Sequence, residues 1–186
     1  METRLAEIAG VAYAVATPSC TAALALSLMA VGVGPGDEVI VPDVTFIATA
    51  SAVRLTGGDV RLVEVDRERL FLNPEQTLQA IGRKTKPAIA GDLNGRSADY
   101  VALEAVCREH GLSLICDSAE ALGSRNGDRY LGSFGNTGCY SFSGHKMIFG
   151  GQGGAVVTHD ADIHTRLRDL RDHGRREDGP MDDVLY

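Results

Sequence analysis

The chain has no surplus of positive charge. Its 18 Lys and Arg residues face 25 Asp and Glu residues, for a formal net charge of -7. A protein that binds nucleic acid through the phosphate backbone needs a basic face, so a nucleic-acid partner is not expected. Long apolar runs are also missing. The most apolar stretch, Ala22 to Val33, is broken by polar residues and glycine and falls short of a membrane span. The acidic start lacks the pattern of a signal peptide, so the expectation is a cytoplasmic protein with no membrane partner. The four cysteines, Cys20, Cys107, Cys116 and Cys139, form no close pairs of the kind that hold zinc. They are read as reduced thiols, and no metal site is expected. No internal repeat and no low-complexity tract is present.

What the sequence does contain is ordinary for a globular domain: 44% apolar residues, 23% charged residues and 22 glycines. A length of 186 residues allows one compact domain with a real core. Short apolar runs with strand character occur at Tyr13 to Ala16, Glu38 to Val41, Val60 to Val65, Pro87 to Ala90, Leu112 to Cys116, Gly138 to Phe142 and Ala155 to Thr158. Between them, Thr21 to Val31, Thr45 to Leu55, Pro74 to Ile81, Tyr100 to His110 and Asp160 to Asp172 have helical spacing, several opening on Thr, Asp or Pro. Leu5, Ile8 and Ala9 suggest a further helix at the start. Strand and helix in alternation predict an α/β fold, a three-layer sandwich around a mostly parallel seven-stranded sheet. In such folds ligands bind beyond the carboxyl ends of the strands, so functional residues should follow strands.

Three places satisfy that rule. Ser19, Cys20 and Thr21 follow the first strand and open a helix, where free N–H groups and the positive end of the helix suit a phosphate. Ser19 or Thr21 would serve equally as a simple helix cap, which is the commoner use. Asp117 ends the strand Leu112 to Cys116. A carboxylate there can keep a pyridine nitrogen protonated, or merely cap the next turn. Lys146 follows Tyr140-Ser141-Phe142-Ser143-Gly144-His145 and precedes the run Gly150-Gly151-Gln152-Gly153-Gly154. An apolar wall beside it would favour the neutral amine that condenses with an aldehyde. The glycine run lacks the Gly-Lys-Ser/Thr ending of a phosphate loop and precedes a strand, which suggests close backbone approach instead. His145 is read as structural, and the cluster Arg171 to Arg176 as a solvated helix end.

In this order the segments resemble the DegT and StrS sugar aminotransferases, which are fold-type I pyridoxal-phosphate enzymes. The resemblance rests on Ser19 to Leu24, Gly34-Pro35-Gly36-Asp37-Glu38-Val39-Ile40-Val41-Pro42, Asp117 to Ser124, Ser141 to Lys146, and Arg171-Asp172-His173-Gly174. It implies that Lys146 holds pyridoxal 5'-phosphate as a Schiff base and that Asp117 pairs with the pyridine nitrogen. It further implies that Phe46 and Ala119 flank the ring, that Cys20, Thr21 and Ser141 hold the phosphate, and that Glu120 meets the phenolic oxygen. Cys20 stands where glycine is usual. Glu120 stands where Gln or His is common, and this is similar to the perosamine-synthase-like branch.

Relatives that remove a sugar hydroxyl carry histidine in place of Lys146, so the resemblance implies transamination, from glutamate to a nucleotide-linked 4-keto-6-deoxy sugar. It also implies a homodimer in the full-length form. Residues 1–186 are expected to form the cofactor-binding large domain, cut at both ends and without the small C-terminal domain, which leaves the activity of the piece alone open. Two other classes remain open: a non-catalytic regulatory or scaffold relative, and a nucleotide-binding α/β reductase. The reductase would need a Gly-x-Gly-x-x-Gly turn after the first strand, which is missing.

Overall fold

The computed structural model describes residues 1–173. Its elements, in chain order, are α1 (Glu2–Ala9), β1 (Tyr13–Thr17), α2 (Cys20–Ala30), β2 (Glu38–Pro42), α3 (Ile47–Leu55), β3 (Asp59–Val63), α4 (Pro74–Ala80), β4 (Thr85–Gly91), α5 (Tyr100–Glu109), β5 (Ser113–Asp117), β6 (Arg125–Asn126), β7 (Arg129–Tyr130), β8 (Thr137–Ser141), β9 (Gly154–Thr158) and α6 (Ala161–Arg171). A single 3-10 turn spans Leu93–Gly95. Seven strands form one sheet in the order β1-β9-β8-β5-β4-β2-β3. All the neighbours pair in parallel except at β9, which runs against both β1 and β8. The mostly parallel seven-stranded sheet expected from the sequence is therefore present, with element ends displaced by a residue or two.

Alternation along the strands explains why the sheet is covered on both faces, since successive side chains point to opposite sides. Val15, Val39, Val41, Ile89, Ile115, Cys139 and Val156 join one core with Leu24 and Leu28 of α2, Val53 of α3 and Leu167 of α6. Their strand neighbours Ile40, Ala88, Ala90, Leu114 and Cys116 meet Tyr100 and Leu103 of α5 and Ala80 of α4 on the other face. Ala14, Ala155 and Val157 extend that second face under Leu5, Ala6 and Ala9 of α1. The result is three layers, helices on either side of a sheet whose inner strands are buried, while the edge strand β3 is largely exposed.

The sequence reading did not include the hairpin of β6 and β7, although Asn126-Gly127-Asp128 has turn chemistry and Gly127 takes φ 59. It packs beside the sheet and adds no strand to it. The glycine run before β9 does bring backbones together. A Cβ at Gly154 would lie 2.5 Å from the Cys20 nitrogen, so β9 and the first turn of α2 can touch only because no side chain intervenes. Gly154→Ala should therefore destabilise the protein by about 1–3 kcal/mol, as overpacking does. Gly34→Ala, where nothing lies within 4 Å of the new methyl, should change stability little. Denaturant unfolding of both variants checks this, and equal midpoints would remove the steric argument.

Candidate active site

The carboxyl ends of β4, β5 and β8 and the start of α2 surround a cavity of about 250 Å³. That is near the lower end of the roughly 300–1,000 Å³ common for small-ligand sites. Every residue singled out from the sequence lines it: Cys20, Thr21, Phe46, Asp117, Ala119, Glu120, Ser141 and Lys146. His145, read as structural, also lies on its wall.

At one end, Ser19 caps α2 by accepting from the Ala22 N–H at 3.1 Å. The capping reading is thus correct for Ser19. Capping does not take the helix start away from the cavity, which Ser19, Cys20 and Thr21 still line. Ser141 Oγ lies 3.2 Å from Ser143 Oγ, so a second pair of hydroxyls stands near the helix start. The Cys20 thiol is pushed well above its usual range, first by burial and then by the negative charge of Asp117.

Asp117 is the last residue of β5 and is buried. Its Oδ2 accepts from Thr49 Oγ1 at 2.7 Å, and Thr49 lies 2.8 Å from Thr45 Oγ1. Its Oδ1 takes a longer contact from the Ala119 N–H at 3.4 Å, the turn-capping role weighed from the sequence. Burial raises the Asp117 pKa, opposed first by the Thr49 hydrogen bond and then by the Ala119 N–H and Lys146.

Lys146 Nζ sits 3.0 Å from Glu120 Oε1, with 13% of its side chain exposed. Beyond the apolar wall anticipated for this lysine, its amine has a carboxylate partner. The other oxygen of Glu120 accepts from the Asn94 N–H at 3.0 Å, and this bond, followed by Lys146, lowers the Glu120 pKa. The cavity therefore has an amine held by one acid and a second acid anchored separately by Thr49.

Sequence reasoning missed Asp92, which is 2% exposed at the end of β4. Ser118 Oγ donates to its Oδ2 at 2.5 Å and Tyr100 OH to its Oδ1 at 2.8 Å. It follows the strand Pro87 to Ala90 as Asp117 follows the neighbouring one, so the rule applied to Asp117 could have found it. Thr49 lies inside a helix and gave no signal of its own. Among the Arg171 to Arg176 cluster, Arg171 ends α6 and bonds Asp172 and Glu2, as a helix terminus would, and residues 174–176 lie outside the described residues.

An α/β sheet with an amine and a buried acid facing one cavity defines a class, the open α/β folds that bind ligands beyond the carboxyl ends of their strands. Comparison with known proteins narrows it. Residues 1–183 match the DegT/DnrJ/EryC1/StrS aminotransferase family, and the chain belongs to that family. It is 43% identical over 175 residues to the UDP-N-acetyl-3-dehydro-alpha-D-glucosamine 3-aminotransferase of Acidithiobacillus ferrooxidans, covering 94% of this chain and 47% of that protein. DesV of S. venezuelae, solved with a ketimine intermediate, superposes with a TM-score of 0.93 at 36% identity, over 98% of this chain and 50% of DesV. NtdA of Bacillus subtilis, solved with bound cofactor PMP, gives a TM-score of 0.93 at 27% identity, over 100% of this chain and 42% of NtdA. The fold is thus that of fold-type I aminotransferases, as the resemblance implied. The chain spans about half the length of these relatives. No helix among the described residues is long and apolar enough to cross a membrane.

Burial raises the pKa of Asp92 to about 7, opposed by the Ser118 and Tyr100 hydroxyls and assisted by the charge of Asp117. An unfolded aspartate titrates near 3.9. The folded state therefore binds the proton more tightly, and stability relative to an uncharged side chain is present below about pH 4 and lost as pH rises through about 7. Thermal unfolding should show wild type losing stability against Asp92→Asn across that window. A constant difference between the two would contradict the assignment.

Proposed function

We propose that the chain is the cofactor-binding part of a pyridoxal-phosphate-dependent aminotransferase that moves an amino group from glutamate to a nucleotide-linked keto sugar. The observation that carries this reading is the placement of Lys146 and Asp117 on one cavity together with a helix start suited to phosphate. The donor set fits the cofactor at each end, with an amine for its aldehyde, an acid for its ring nitrogen, and N–H groups with hydroxyls for its phosphate.

When bound, pyridoxal phosphate supplies an aldehyde and an electron-accepting ring. The rest falls to the chain. Asp117, oriented by Thr49, would hold the proton of the ring nitrogen. The amine of Lys146, once displaced from the aldehyde, would take the proton from the α-carbon of the amino donor, with Glu120 fixing its position between uses. Thr21 and the first N–H groups of α2, with Cys20 and Ser141, would bind the phosphate. Phe46 and Ala119 would flank the ring, and Glu120 would reach the phenolic oxygen.

A keto sugar as acceptor is supported by the names of the relatives. The Acidithiobacillus protein acts on a 3-dehydro sugar, and DesI, 39% identical over 93% of this chain, was solved with its TDP-sugar product. A 4-keto-6-deoxy sugar, suggested by the perosamine-like Glu120, is the acceptor to try first. A homodimer of the full-length polypeptide is proposed as well, supported by Phe46, Ile47, Met147 and Phe149, apolar and exposed beside or on the cavity wall.

Borohydride reduction in the presence of pyridoxal phosphate should place label on Lys146, with a visible band lost in Lys146→Ala. Transfer activity of the full-length polypeptide should fall by more than a thousandfold in that variant, on the order of 4 kcal/mol or more of barrier. Label on another lysine, or none, would overturn the reading and favour a non-catalytic relative.

A further inference from the structure

We propose that Asp92 is a positioning residue for Asp117: held by Ser118 and Tyr100 at the end of β4, it sets a second carboxyl group behind the one that meets the cofactor's ring nitrogen. This rests on the function proposed above, since it requires that ring to occupy the cavity.

The geometry makes the two acids a unit. Asp92 lines the same cavity as Asp117 and Lys146. Its backbone N–H donates to the Asp117 carbonyl at 2.9 Å, which joins the ends of β4 and β5. Ser118, next to Asp117 in sequence, gives its hydroxyl to Asp92 and its N–H to the Cys139 carbonyl of β8 at 2.9 Å. The side chain of Asp92 thus secures a residue that ties three strand ends together. Without the carboxyl, two buried hydroxyls would lose their acceptor, at a cost that buried polar groups commonly exact.

The charges give the arrangement a property that packing alone would not. The titratable groups facing Asp92 are Tyr100 from α5, Cys116 and Asp117 from β5, and Tyr140 from β8. Burial keeps the tyrosines and the thiol neutral, so Asp117 is the anion that Asp92 feels most, while Glu120 and Lys146 pair with each other across the cavity. A protonated ring nitrogen at Asp117 offsets that anion. Asp92 then releases its proton to solvent more readily, and cofactor binding is coupled to loss of one proton. Affinity should rise with pH up to about 7, the value burial gives Asp92 in the empty cavity, and level off above it.

The test is the dissociation constant of pyridoxal phosphate, measured by equilibrium dialysis from about pH 5.5 to about 8.5, with borohydride labelling of Lys146 run alongside. The ratio of the Asp92→Asn constant to the wild-type constant should climb by up to about tenfold per pH unit below about pH 7 and flatten above it. Ser118→Ala serves if Asp92→Asn fails to fold. Removing the hydroxyl that favours the Asp92 anion should move the wild-type step to higher pH. Parallel profiles with Lys146 labelled, or a step unmoved in Ser118→Ala, would overturn this inference alone. No label in wild type would overturn the proposed function and this inference with it.

Discussion

The Thr49 hydroxyl, 2.7 Å from Asp117, is the interaction on which the site depends. A carboxylate buried at a strand end loses the water that would otherwise solvate it, and burial does raise the Asp117 pKa. Three contacts work against that loss: Thr49, the Ala119 N–H and the field of Lys146. They come from α3, the turn after β5, and the loop after β8. Those segments meet only because the sheet places β5 between β4 and β8, with α3 packed on its face. An acid able to hold a ring proton is therefore a product of the whole layered fold.

The same dependence explains what the sequence revealed. The strands announced themselves because Val39, Ile40 and Val41, or Leu114, Ile115 and Cys116, are apolar in unbroken runs, as both faces of a parallel sheet require. With strands placed, the rule that ligands sit beyond their carboxyl ends was enough to reach Asp117 and Lys146. The same rule reached Ser19, Cys20 and Thr21, whereas Phe46, Glu120, Ala119 and Ser141 were reached through the resemblance, and all of them line the same cavity. Hidden were the pairings across long separations. The Lys146 bond to Glu120 spans 26 residues, as does that of Ser118 to Asp92, and no local pattern encodes either. The carboxylate beside Lys146 was not foreseen for that reason, since it arrives from another strand end.

Three carboxyl groups face this cavity, against one lysine amine, yet the proposed cofactor is itself anionic. Spatial separation resolves the difficulty. Asp92, Asp117 and Glu120 belong to the ends of β4 and β5, whereas the α2 start, with Ser19 and Thr21, presents N–H groups and hydroxyls from the end of β1. Placing the phosphate at the helix start keeps its charge at the positive helix end and turns the ring toward the acids. Cys20 sits at that start as its first helical residue. An ionised thiol there would oppose the phosphate directly, but burial and the field of Asp117 both hold Cys20 in its neutral form. Asp117, the acid proposed to serve the ring, thus helps keep the helix start free of negative charge, so a side chain at position 20 is compatible with the anion proposed to bind there.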